Sequence, residues 1–235
     1  MVSCFPQRVT RMAAEGTKAS SVTADFKYEE ERLDRIVWSN FQTYFNSYDE
    51  SGKLVKVARK NVQSFRKLES RITYERELAV RTDDYRMKMD RFTREDLDTM
   101  HMGYRLYEYD GDRLMVEKVY EKLDDSDQME LTFYKEYTYD LSGNIVQYVS
   151  MDDVQGDTIE AFSYTYDTRS HPYSSLDLPF KGESHVNNIL KKTNLLKGLD
   201  YVNQVVYSPT GFPEQINVKQ DNYMTEVVSI DYTCR

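Results

Sequence analysis

Three histidines, forty acidic residues and two cysteines are the groups in this 235-residue chain that could do chemistry. His101, His171 and His185 have no second histidine, cysteine or carboxylate at the helix-facing spacing of a zinc site. His171 precedes Pro172 in a turn signal, and the other two read as surface positions. No Gly-x-Ser-x-Gly elbow places an exposed serine, and no Walker or dinucleotide glycine pattern occurs. The acidic clusters at Asp124-Asp125-Ser126-Asp127, Asp110-Gly111-Asp112 and Asp152-Asp153 miss the spacing of an EF-hand and read as solvated turns. Carboxylate pairs for a glycosidase carry no weight by count, since forty acids always offer pairs. The reading is of a chain with no catalytic motif, no cofactor and no metal site.

Composition narrows the partners. A net charge of -9 leaves no basic stripe to displace counterions from nucleic acid. No apolar run approaches the ~20 residues of a helical membrane span. Cys4 and Cys234 sit at opposite ends, too few for a disulfide framework. They read as separate thiols or as one bridge between the termini. A third reading is that Met1-Val2-Ser3-Cys4 is the tail of a bacterial lipobox, with Cys4 as the lipidated residue. On that reading the sequence begins inside a signal peptide. Residues 1–20 are then a tether, and the chain is extracytoplasmic, held to a membrane only through a lipid at Cys4.

The elements that would position any site are strands. Twenty tyrosines explain how 40% hydrophobic residues coexist with a mean hydropathy of -0.73. Tyrosine favours strands and joins an apolar body to a wet hydroxyl, which suits sheets with one buried and one solvated face. One pattern recurs: an aromatic, any residue, tyrosine, an acid, a short turn, then aliphatics. Tyr107-Glu108-Tyr109-Asp110-Gly111 leads to Leu114, and Tyr137-Thr138-Tyr139-Asp140-Leu141-Ser142-Gly143 leads to Ile145. Related units stand at Tyr28, Tyr48, Tyr166 and Tyr207, with a degenerate one at Tyr74. The acid can bond backbone two residues on, and glycine takes the positive φ of a tight reversal. Each unit is a β-hairpin, marginal alone, so the units must stack. The expectation is an all-β curled antiparallel meander of roughly twelve to fifteen strands over residues 21–235 as one domain. A stripe at Val186, Ile189, Leu190 and Leu196, stopped by Gly198, predicts a short helix or insertion over residues 184–199.

These Tyr-x-Tyr-Asp-x-x-Gly units resemble the YD repeats of RHS-type proteins. Over roughly residues 22–233 the chain is similar to secreted lipoproteins of Gram-negative gut anaerobes, an extent judged from where repeat signals run. The late Tyr164-x-Tyr166-Asp167 unit ending in His171-Pro172-Tyr173 carries much of that likeness. The resemblance implies an exported cell-envelope protein and no known activity. Tyr107, Tyr109, Tyr137, Tyr139, Tyr164 and Tyr166 are then either cross-strand core or an aromatic face for a glycan or envelope protein. The function expected is a non-enzymatic binding or structural module. Its alternatives are a carbohydrate-binding accessory or undetected glycoside hydrolase, and an RHS-like shell handling another polypeptide.

Overall fold

The computed structural model describes residues 4–13, 21–29, 32–61, 66–90, 93, 96–122, 128–153, 155–171, 185–221 and 223–234. Every regular element among them is a β-strand, sixteen in all. The first eight are β1 (Cys4–Ala13), β2 (Ser21–Glu29), β3 (Arg32–Trp38), β4 (Gln42–Tyr48), β5 (Leu54–Asn61), β6 (Arg66–Glu75), β7 (Leu78–Met89) and β8 (Asp96–Asp110). They are followed by β9 (Arg113–Lys122), β10 (Met129–Tyr139), β11 (Ile145–Asp152), β12 (Thr158–Ser170), β13 (Asn187–Asn194), β14 (Leu199–Tyr207), β15 (Pro213–Gln220) and β16 (Tyr223–Cys234).

Consecutive strands hydrogen-bond, and β1 pairs antiparallel with β16, so the meander closes into a barrel. Closure removes the two sheet edges that an open meander would leave unpaired. Cys4 lies opposite Cys234 at the end of this seam, and Cys234 is disulfide-bonded. Residues 4–13, expected within an N-terminal tether, are therefore a strand bonded on both sides, to β2 and β16.

The tyrosine hairpins are built by one repeated device. Tyr28 faces Leu33, Tyr48 faces Leu54, Tyr74 faces Ala79, Tyr109 faces Leu114 and Tyr207 faces Pro213, and the register shifts at each tyrosine. Such a bulge re-aims the side chain at the strand end. The hydroxyl then reaches back across the preceding strand. Tyr28 donates to Pro6 O (2.8 Å), Tyr74 to Leu54 O (2.9 Å), Tyr109 to Ala79 O (2.7 Å) and Tyr232 to Pro213 O (2.9 Å). Leu54, Ala79 and Pro213 thus each face one tyrosine and accept from the next.

The turns follow the same chemistry. Asp49 N donates to Lys53 O and Gly52 N to Asp49 O, and Asp140, Gly143 and Asn144 repeat the arrangement. Gly52 and Gly143 both have φ of +87°, the left-handed region that a side chain would strain. The carboxylate of Asp140 accepts from the backbone N–H groups of Ser142 (2.8 Å) and Asn144 (2.9 Å). Of the acidic clusters, residues 124–127 lie outside the described residues, while Asp152 closes a turn through its N–H to Asp157 O.

The expected helix or insertion over 184–199 is corrected: Asn187–Asn194 is β13, residues 195–198 form a turn, and β14 begins at Leu199. Ser184 lies outside the described residues. The apparent helical stripe arises because Tyr166 pairs with Ile189 and Thr165 with Lys191, so Leu190 is an extra, bulged residue. One inserted residue breaks the two-residue period and mimics a spacing of three and four.

Two compact units are distinguishable. Unit 1 comprises Met1–Asn40, Thr138–Tyr148 and Glu160–Arg235; unit 2 comprises Phe41–Tyr137 and Val149–Ile159. The core of unit 1 includes Val9, Ala24, Phe26, Leu33, Ile36, Val228 and Ile230, and that of unit 2 includes Leu54, Val57, Met87 and Leu114. Within unit 2, a Cβ at Gly103 would stand 2.2 Å from the carbonyl oxygen of Tyr120, so only glycine permits this approach of β8 to β9. Gly103→Ala is expected to cost about 1–3 kcal/mol, because the obstacle is backbone. Tyr74→Phe is expected to cost about 1 kcal/mol through the lost bond to Leu54 O. Urea unfolding of both variants beside the parent measures this; a neutral Gly103→Ala would show that the strands can separate freely.

Candidate functional site

Of the six aromatics proposed to face a ligand, Tyr137 and Tyr164 are buried and Tyr107, Tyr109 and Tyr166 are half-buried. Tyr137 and Tyr164 are 3% and 7% exposed. Tyr107 donates to Thr82 Oγ1 (3.0 Å), Tyr109 to Ala79 O and Tyr137 to Glu117 Oε2 (2.9 Å). Tyr166 donates to Ile145 O at 2.5 Å, and its ring stacks at 6.4 Å on that of Tyr164. Tyr139, the sixth, is half-buried. Tyr137 and Tyr164 thus lie in the core, and the hydroxyls of Tyr107, Tyr109, Tyr137 and Tyr166 bond the protein.

Polar groups of unit 1 gather around the β10–β11 turn, the end of β12 and the start of β13. β12 carries Tyr164, Tyr166 and Asp167; the β10–β11 turn carries Asp140 and Asn144; the chain entering β13 brings His185, Asn187 and Asn188. Asn144 and Asn187 bond reciprocally, Nδ2 to Oδ1 at 2.9 Å and Asn187 N to Asn144 Oδ1 at 2.8 Å. Asp167 accepts from the Tyr207 hydroxyl, from Arg169 N (2.9 Å) and from Asn188 N (3.1 Å). The Arg169 guanidinium lies 4.0 Å over the Tyr207 ring. Asp140, Asn144, Tyr166, Asp167, Thr168 and Asn187 border an open cleft of about 550 Å³.

Sequence reasoning put His185 on the surface, but it is only 8% exposed. Its Nδ1 lies 2.6 Å from the Tyr166 hydroxyl, and the His171 ring stands edge-on to it at 6.4 Å. His171 N donates to Val186 O, which brings the two imidazoles together across the connection. Because the Tyr166 proton goes to Ile145 O, His185 must supply the hydrogen at Nδ1, leaving Nε2 as its acceptor. Burial depresses His171 to about 4, against the pull of Asp167. Burial, then His171 and Lys192, depress His185 to about 4. Burial, with Tyr164 and Asp140, raises Tyr166 above the ordinary phenol range. At neutral pH the pair is therefore a protonated phenol against a neutral imidazole, arranged to hold geometry rather than to activate a nucleophile. The Asn187-Asn188 doublet was the overlooked sequence signal: amides at the head of a strand can satisfy a broken turn on both sides.

The depressed histidines predict a pH dependence. Their folded values lie below the unfolded 6.5, so the unfolded chain binds more protons between the two. Stability is fully present above about pH 6.5 and falls as pH drops towards 4, by roughly a few kcal/mol for the pair. Urea unfolding from pH 7.5 to 4 should show this slope, and His171→Asn/His185→Asn should flatten it. An unchanged slope in the double variant would assign the acid sensitivity to carboxylates instead.

A porin-like protein from Bacteroides vulgatus aligns with 98% of this chain and 99% of its own, at 10% identity and a TM-score of 0.60. A porin-like protein from Bacteroides uniformis covers 98% of this chain and 96% of its own, at 12% identity and a TM-score of 0.43. The TcdB2-TccC3-Cdc42 structure covers 84% of this chain and 12% of its own, at 13% identity and a TM-score of 0.27. The first likeness is one of fold, and the other two are too distant to carry an argument. No family model and no curated protein sequence matches the chain, so the YD-repeat resemblance has no independent support.

Proposed function

We propose that this chain is a non-enzymatic cell-envelope barrel acting as a binding or structural module through its sheet surface, with water rather than lipid against its exposed face. The carrying observation is the exposed face of unit 1. Arg8 stands in register with both Asp25 and Asp231 and pairs with Asp25 at 2.6 Å. Thr10 lies between Thr23 and Ser229, Asn217 lies opposite Gln204, and Lys191 pairs with Asp200 at 2.8 Å. The alternate residues of the same strands, Val9, Ala24, Phe26, Val228 and Ile230, are the buried ones.

A bilayer-spanning barrel needs the reverse, an outward apolar band ~25 Å tall, on which a lysine or arginine at mid-depth costs ~2–4 kcal/mol. The porin-like fold of the Bacteroides vulgatus protein supports an envelope setting for the architecture. The β1–β16 register also bears on Cys4: a bridge to Cys234 and a lipid thioether would use the same sulfur, and the register favours the bridge. A bridge needs an oxidising compartment, which agrees with export.

Periplasmic expression followed by osmotic release and detergent extraction tests this reading. Release without detergent, with no conductance steps when the protein is added to planar bilayers, is expected. Detergent-dependent extraction together with channel steps would overturn it. Intact-mass analysis of the same material separates a bridged Cys4 from a lipidated one.

A further inference from the structure

Along the sequence the basic residues of β5 to β7 are scattered among acids, and no stripe stands out. Strand pairing gathers them. Arg59 on β5 faces Leu68 on β6, Leu68 faces Arg86 on β7, and Arg86 faces Met100 on β8. Directly opposed residues share a face and residues two apart return to it, which adds Lys88 beside Arg86. At the ~4.8 Å spacing of strands, Arg59, Arg86 and Lys88 rise from positions within about 12 Å of one another. That is close to a Debye length in ordinary salt, so their fields add.

Two observations set this face apart within unit 2. The first is charge. All three cations are exposed, and among the described residues none makes a hydrogen bond, ion pair or ring contact. Arg71, Arg81, Arg105 and Lys118 of the same unit each bond a carboxylate instead. On the cationic face Asp98 lies opposite Lys88, while Asp84 is already held by Arg105 and Ser70. Three cations against Asp98 leave a surplus of two positive charges, on a chain of net charge -9. Register also sets Arg66 opposite Lys88, a like-charged pair that works against the sheet and so is not explained by folding.

The second observation is apolar. Met100 is 48% exposed in the same row, and Leu68 is half-buried between the two arginines. Phe41, 54% exposed, directly precedes the Gln42 that pairs with Asn61 of β5. Cations without partners around exposed apolar side chains complement an anionic lipid surface. Headgroup phosphates meet the charges, the basic stems lie along apolar surface, and Met100 and Phe41 reach the acyl boundary. A soluble polyanion would use the charges and leave both apolar side chains in water.

We propose that the Arg59–Arg86–Lys88 face, with Met100 and Phe41, docks peripherally on an anionic lipid surface. The assignment names a partner for the envelope module proposed above and rests on that reading. Salt reverses such a contact without detergent, which separates it from a spanning barrel. The full chain, disulfide intact, is floated with phosphatidylcholine vesicles and with mixed phosphatidylcholine–phosphatidylglycerol vesicles. Co-flotation with the mixed vesicles alone, reversed by high salt, is the expected result. Arg86→Gln/Lys88→Gln should weaken it about ten-fold or more, and Met100→Ser should weaken it with the charge unchanged. Lys27→Gln/Lys197→Gln removes two exposed cations from unit 1 and should leave it unaltered. Urea midpoints accompany each variant, and Arg59→Gln serves if the Arg86/Lys88 pair unfolds early. No binding to mixed vesicles, equal binding to neutral ones, or equal weakening by the unit 1 pair would overturn the assignment. So would tighter binding to dextran sulfate or duplex DNA that Met100→Ser leaves unchanged, which gives the face to a soluble polyanion. Each of these leaves the envelope module standing, whereas channel conductance in planar bilayers removes that reading and the assignment with it.

Discussion

A meander of hairpins depends on holding register at every turn, because a slip of one residue turns each following side chain to the wrong face. Here a tyrosine at the end of the incoming strand meets that constraint. The bulge at Tyr74, for instance, turns its ring so that the hydroxyl bonds Leu54 O, while Leu54 itself faces Tyr48. One hairpin is thereby stitched to the next through a backbone carbonyl, and the bond forms only in the correct register. Each such bond contributes about 1 kcal/mol net, so its value lies as much in rejecting slipped pairings as in stability. The seam between β1 and β16 requires the same fidelity, since an accumulated error would prevent Val9 from meeting Ile230.

The break in this repeat shows what the device otherwise supplies. Where β12 leaves the pattern, the polar ends of the strands are satisfied by side chains instead of a short turn. Asn144 and Asn187 cap one another, Asp167 gathers Tyr207 and Asn188, and His185 covers Tyr166. This arrangement is costly to protonate because two imidazoles are withdrawn from water together. The histidines whose pKa values burial depresses therefore stand where the end of β12 meets the chain entering β13.

Tyrosine thus has two uses in one chain, distinguished by what its hydroxyl meets. The hydroxyls of Tyr28, Tyr74, Tyr109 and Tyr232 bond backbone carbonyls and their rings are half-buried. On β8 and β9 the rings of Tyr104 and Tyr120 stack on one another beneath Arg81, with their hydroxyls left to solvent.

Strand type, antiparallel order and turn chemistry were legible in the sequence because they are local. Tyrosine, acid and glycine at fixed offsets determine a bulged strand end, a bonded turn and a positive φ within seven residues, as Tyr48 to Leu54 shows. Residues 187–194 were misread because Leu190 is an extra residue that only pairing to β12 reveals. Closure was not legible, since it joins residues at opposite ends of the chain, Cys4 to Ala13 against Glu226 to Cys234, with no local signal. The burial of His185 and the gathering of Arg59, Arg86 and Lys88 likewise depend on which strands become neighbours and in what register. The sequence by itself determined the repeating hairpin; tertiary structure decided which faces are buried and what each tyrosine hydroxyl meets, because both follow from long-range pairing.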